Sequence, residues 1–180
     1  MAISLDDDHL DRFITFYYLE KIKLINRLQK LLMLLCMCPL LTFAQTAQET
    51  QKIIKDFYDA YNAGKIINLA ALIDDDHFVH QINYEKIPGK DKFLQYIADN
   101  KKNYAEPIDH YILMTSTDGH YATTQFTLHG KYLHTDDSAI PAHGQQYTLA
   151  VMNFFEIENN KIVKASVWFD EKDWEKQVNQ

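Results

Sequence analysis

Cysteine is nearly absent from this 180-residue chain: there are two, Cys36 and Cys38, both inside one apolar run. If that run is removed on export, the remaining chain has no cysteine. A zinc–thiolate site, a disulfide framework and a cysteine nucleophile are then all excluded. Glycine (5) and proline (4) are scarce, which argues against a repeat or low-complexity protein, and no internal period is visible. Positive charge is also in deficit: 18 Lys and Arg against 25 Asp and Glu give a net charge of −7. Binding nucleic acid requires a basic face, so no nucleic-acid partner is expected. Long hydrophobic runs are missing as well; the apolar stretch from Leu31 to Leu41 is too short for a permanent membrane span.

What is present is apolar and aromatic. Nearly half the residues are hydrophobic (47%), with 11 Tyr and 10 Phe, enough for one ordinary domain with a core and a lined cavity. Lys21, Lys23, Arg27 and Lys30 precede the apolar run, and Thr42-Phe43-Ala44-Gln45 follows it. A basic flank, a short apolar core and small residues near a cut are the signature of a secretory signal peptide. Cleavage after Ala44 makes residues 1–44 an N-terminal extension plus signal peptide and 45–180 the exported domain, periplasmic or secreted. No stable membrane span remains after the cut. No small-residue pair directly precedes Cys36 or Cys38, so the lipoprotein cleavage pattern is absent. The acidic, aromatic stretch Met1 to Glu20 fits no ordinary signal start. A long extension, a start upstream of the true one and a buried amphipathic helix all stay open for it.

Along the rest of the chain, Ile53, Ile54, Phe57, Tyr58 and Tyr61 recur at helical spacing, predicting a helix over Glu49 to Lys65 that Asn62-Ala63-Gly64 ends. Asn68 is a candidate cap for a second helix. Phe78 to Ile82 reads as a short strand, Pro88-Gly89 as a turn, and Asp91 to Tyr104 as a third helix. After Pro107 the pattern becomes one of strands, with hairpin signals at Asp118-Gly119 and at Glu158-Asn159-Asn160. The fold class expected is α+β, three N-terminal helices packed on a curved antiparallel sheet.

Phe57-Tyr58-Asp59-Ala60-Tyr61-Asn62-Ala63-Gly64 followed by Ala71-Leu72-Ile73-Asp74-Asp75-Asp76 resembles the opening of NTF2-like domains. Pro88-Gly89-Lys90-Asp91-Lys92-Phe93 is similar to that family's glycine turn before helix three. Phe154-Phe155-Glu156-Ile157 with Asn160-Lys161-Ile162 resembles its final hairpin. The resemblance, to the SnoaL-like and ketosteroid-isomerase-like group, covers roughly Thr50 to Val178. It implies an NTF2-like cone enclosing an apolar pocket for a small apolar or aromatic ligand, with a homodimer as a possible assembly. No cofactor is implied. The fold hosts isomerases, cyclases, dehydratases, hydrolases and many proteins without catalysis, so it does not by itself assign an activity.

In steroid isomerases of this fold the resemblance sets Phe57 at the position of a donor tyrosine, Gln81 at that of the base aspartate, and Asn153 at that of the second donor. Phe57 cannot donate and Gln81 has no useful basicity, so that chemistry is lost. Tyr58, one residue on, is expected to be rotated about 100° away from the pocket. The polyketide-cyclase branch carries an acid/base aspartate seven residues before a Gln. Asp170 precedes Gln177 by that interval, and it is either an acid/base group at a pocket mouth or the cap of a C-terminal turn. His80, beside the lost base position, is a candidate substitute base near neutral pH.

The strand face Tyr147, Leu149, Val151, Asn153 and Phe155 is apolar except for one amide, which reads either as a pocket wall or as a core face. Phe57, Tyr61, Gln81 and Trp168 complete the candidate ligand-binding set with Val151, Asn153 and Phe155. His77-x-x-His80 and the group His129, His134, His143, Asp136 and Asp137 are too loosely patterned for a metal centre, and none is expected. Three functions stay open: a binding protein, an acid/base enzyme of cyclase, lyase or isomerase type using Asp170 or His80, and a non-catalytic dimeric interaction module.

Overall fold

Thr46 caps the helix that follows it. Its hydroxyl accepts from the Glu49 amide at 3.2 Å, and the Glu49 carboxylate accepts from the Thr46 amide at 2.9 Å. These reciprocal bonds satisfy two of the donors that a helix start leaves free. The computed structural model describes residues 17–27, 29 and 45–180, in two compact units, Met1–Phe43 and Ala44–Gln180. Residues 17–27 are helical. The predicted apolar core of the signal peptide lies outside the described residues, as does most of Met1 to Glu20. Among the described residues no helix is long and apolar enough to cross a membrane.

The second unit runs α1 (Ala47–Asn62), α2 (Ile66–Leu72), β1 (Val79–Ile82), β2 (Glu85–Pro88), α3 (Lys90–Asn103), β3 (Tyr104–Ala105), β4 (Ile112–Thr115), β5 (Tyr121–Tyr132), β6 (Gln146–Glu158), β7 (Lys161–Trp168) and α4 (Glu171–Val178). Helix α2 starts earlier than the sequence predicts, with Lys65 and not Asn68 at its N-cap. Gly64, at φ 63°, lets the chain turn out of α1 directly into it.

The strands form one curled seven-stranded sheet in the order β2-β1-β7-β6-β5-β3, with β4 also paired to β5. The α+β class holds, but the sheet is mixed: β1 runs parallel to β7, while the other ladders are antiparallel. The antiparallel expectation came from the hairpins joining β4 to β5 and β6 to β7. β1 has no hairpin to β7 and reaches it across the whole intervening chain, so nothing local sets its direction. The β6–β7 turn has Asn159 and Asn160 at φ 50° and 61°, the left-handed pair that a tight hairpin requires.

Burial alternates along β5 and β6, so one face of the sheet turns to the helices and the other to solvent. The core fills the gap between them, with Ile54, Tyr58, Leu69, Phe93, Phe155, Ile157 and Ile162 all buried.

Candidate functional site

A cavity of about 440 Å³ opens between the helices and the concave face of the sheet. Three periodicities line it. From α1 come Phe57, Tyr58 and Tyr61; from α3, Phe93, Tyr96, Ile97 and Asn100; from β6, Leu149, Val151, Asn153 and Phe155. The helical set repeats at three and four residues and the strand set at two, as one inward face of each element demands. Tyr58 therefore does not turn away from the pocket. The inward stripe of a helix is over 100° wide, so Phe57 and Tyr58 both fit on it.

The Tyr58 hydroxyl lies 2.5 Å from Thr124 Oγ1, and Asn153 Nδ2 donates to it at 2.8 Å. Thr124 and Asn153 are directly opposite across the β5–β6 ladder, so one tyrosine on a helix ties two strands to it. Burial drives the Tyr58 pKa well above its ordinary value, and the hydroxyl stays neutral. Asn153 Oδ1 is buried with no partner.

His80 projects inward from β1 and is only 5% exposed. Its ring packs on Phe93 and Tyr96, with centroids 4.8 and 5.4 Å away. Nδ1 lies 2.9 Å from the Ala165 carbonyl oxygen. A carbonyl only accepts, so Nδ1 carries the proton and Nε2 a lone pair. Nε2 is buried and has no partner. Burial lowers the pKa of this imidazole from 6.5 to about 4, against a smaller upward pull from the Ala165 bond. At neutral pH it is an uncharged base on the cavity wall.

Glu106 supplies a second polar station that the sequence reading passed over. Its loop is pinned at both sides: Ala105 pairs with Lys131 of β5, and Asn62 clamps Ile108 through bonds of 2.8 and 3.0 Å to its carbonyl and amide. The carboxylate accepts from the Tyr147 hydroxyl at 2.5 Å and from the Tyr61 hydroxyl at 3.3 Å. Burial raises its pKa above the usual carboxylate value, opposed by these bonds and by the nearby Lys101. Glu106 sits in an irregular loop before Pro107, where no periodicity marks a residue as inward.

Of the sequence candidates, Phe57, Tyr61, His80, Val151, Asn153 and Phe155 line the cavity, whereas Asp170, Gln81 and Trp168 do not. Asp170 is exposed and caps α4, accepting from the Asp173 amide at 3.1 Å. Gln81, next to His80 on a strand, faces the other way and donates to the Asn83 carbonyl at 2.8 Å. Trp168 meets Tyr84 edge-on at 5.6 Å. His77 pairs with Asp74 at 3.3 Å, away from His80. His129 lies beside Thr148 and His143 beside Pro141. Among the described residues no group of three or more His, Cys, Asp or Glu side chains converges.

Residues 54–165 match the SnoaL-like domain family. A candidate polyketide cyclase of Pseudomonas putida is 32% identical, with 72% of this chain and 97% of that one covered and a TM-score of 0.68. A candidate polyketide cyclase of Silicibacter sp. is 27% identical over 75% and 98% of the two chains, with a TM-score of 0.70. An epoxide hydrolase of M. tuberculosis shares the fold at 14% identity, covering 73% and 86%, with a TM-score of 0.58. A search among curated proteins finds no significant match.

Proposed function

Because the chain belongs to the SnoaL-like domain family, of NTF2-like fold, we propose that its cavity takes a small apolar or aromatic molecule and that His80 accepts a proton from it. The single observation that carries the reading is the unpartnered, buried Nε2 of a neutral imidazole whose ring belongs to the wall of a cavity lined by aromatic, aliphatic and acidic residues. Leaving such an atom unpaired is costly, and a ligand that donates to it removes the cost. Asn153 Oδ1 is a second acceptor for the same purpose. In the step itself Nε2 takes a proton from a hydroxyl or from a carbon acidified by a neighbouring carbonyl, and the electron pair stays on the ligand. Asp170, the rival acid/base candidate, stands outside the wall and has no part in the reading.

The base reading is tested by deuterium exchange of 2-tetralone in D2O, followed by proton NMR. The protein is expected to accelerate exchange at the carbon beside the carbonyl. His80→Phe should cost roughly 10²–10⁴-fold, the range of a positioned base. Equal exchange by the two proteins would remove His80 as the base. Native mass spectrometry of protein from its own host, showing a retained small molecule, tests binding separately.

Export is supported by the basic, apolar and small-residue order of residues 21–45 and by the way Gln45 is seated. Gln45 is buried, donates to Thr50 Oγ1 at 3.0 Å and accepts from the Asn160 amide at 3.0 Å. A homodimer is supported by the solvent face of the sheet, where Ile112, Met114, Tyr121 and Met152 are 63%, 57%, 48% and 50% exposed. These residues share one face by ladder register, and a second copy of the same patch would cover them.

A further inference from the structure

The charge of the cavity's occupant can be read from its walls, given the small-molecule reading above. Asp99, Glu106, Asp136, Asp137 and Glu171 line the cavity, and no Lys or Arg does. Among the described residues Glu106 has no ion-pair partner within 4.0 Å. Lys101 stands nearby, its Nζ 3.5 Å from the centroid of the Tyr61 ring, but does not pair with the carboxylate. The two orphaned buried atoms, His80 Nε2 and Asn153 Oδ1, are both acceptors. Tyr61, Tyr96 and Tyr104 stand within reach of the Glu106 charge, and they line the cavity together with Asn100 and Trp174.

A partly buried carboxylate without a counter-ion, tyrosine rings with electron-rich faces, and acceptors left without donors all favour one kind of guest. An ammonium group is donor-only, carries the missing charge, and is attracted to aromatic faces. A carboxylate or phosphate guest would meet like charge and find no basic residue on the wall. We infer that the occupant is an organic cation, a small amine whose ammonium group sits against Glu106 and whose other end turns a hydrogen-bond donor toward His80 Nε2.

Isothermal titration with two matched series tests this at neutral pH: 2-naphthylmethylamine, 2-naphthalenemethanol and 2-naphthoate, and benzylamine, benzyl alcohol and benzoate. The amine should bind roughly tenfold or more tightly than the alcohol, and the carboxylate weakest. Glu106→Gln should abolish the amine's advantage and leave alcohol binding in place. Alcohols that bind as well as the amines would overturn the cation inference and leave the small-molecule site standing. No binding in either series would overturn both.

A pH series on the unaltered protein guards against a variant that fails to fold. The groups facing Glu106 are Tyr61 from α1, Tyr96 and Lys101 from α3, Tyr104 from β3 and Tyr147 from β6. The four tyrosines are held above their ordinary range and stay neutral, whereas burial lowers Lys101 from 10.5. Because the Glu106 pKa is raised, amine affinity should climb with pH through the range above the ordinary carboxylate value. Alcohol affinity should climb much less. Parallel profiles for amine and alcohol would overturn the assignment of the cation to Glu106.

Discussion

Replacing His80 by Phe should change how the stability of this protein depends on pH. The imidazole has a pKa of about 4 in the folded chain against 6.5 for the unperturbed group. At 1.36 kcal/mol per pH unit the difference is worth about 3 kcal/mol. The folded value is the lower one, so below pH 6.5 the unfolded chain binds the extra proton. The contribution is therefore fully present above pH 6.5 and is lost as the pH falls from 6.5 to about 4. Glu106 acts in the opposite sense, since its raised pKa stabilises the fold as it protonates. Subtracting the variant's curve from the parent's cancels that effect. Phe suits the site, which Phe93 and Tyr96 already line with rings. Urea unfolding at steps between pH 7 and pH 4 should show the parent losing about 3 kcal/mol more than His80→Phe. Parallel curves would refute the claim that a neutral, buried imidazole faces the cavity.

Gly130 lies beneath the ring of Tyr147, and a Cβ there would stand 2.2 Å from Tyr147 Cζ. Gly130→Ala should cost about 1–3 kcal/mol in denaturant unfolding and weaken the bond from Tyr147 to Glu106. Unchanged stability would mean that the ring is free to move. Asp170→Asn should leave both stability and ligand binding nearly unchanged, since Asn caps a helix as well as Asp. Asp170→Ala should cost about 1 kcal/mol with binding intact, and a selective loss of binding would restore Asp170 to the site. Met152→Glu should convert a dimer to a monomer by light scattering, whereas a monomeric parent would remove the assembly proposal.

The three helices and the long strands were legible in the sequence because Phe57, Tyr61, Val151, Asn153 and Phe155 obey the helical and strand periods. The same periods put them on the cavity wall. His80 was legible as an alternative to Gln81. A one-residue step on a strand reverses the side chain, and sequence alone does not say which of the two faces in. Tyr58 was misplaced because a helical step was treated as an exit from a stripe wide enough to hold both neighbours. Glu106 was invisible: what buries it is a clamp from Asn62, forty-six positions from Ile108, and hydroxyls from α1 and β6. The parallel β1–β7 pairing was equally hidden, since it joins segments with no turn between them.

Long-range proton–nitrogen correlation NMR of the His80 imidazole, assigned by subtraction of the His80→Phe spectrum, reads the central feature directly. At pH 7 Nδ1 should carry a proton and Nε2 none. Adding 2-naphthol should shift the Nε2 resonance while Nδ1 stays bonded to the Ala165 carbonyl. A proton on Nε2, or an Nε2 resonance that ignores a saturating ligand, would contradict that reading.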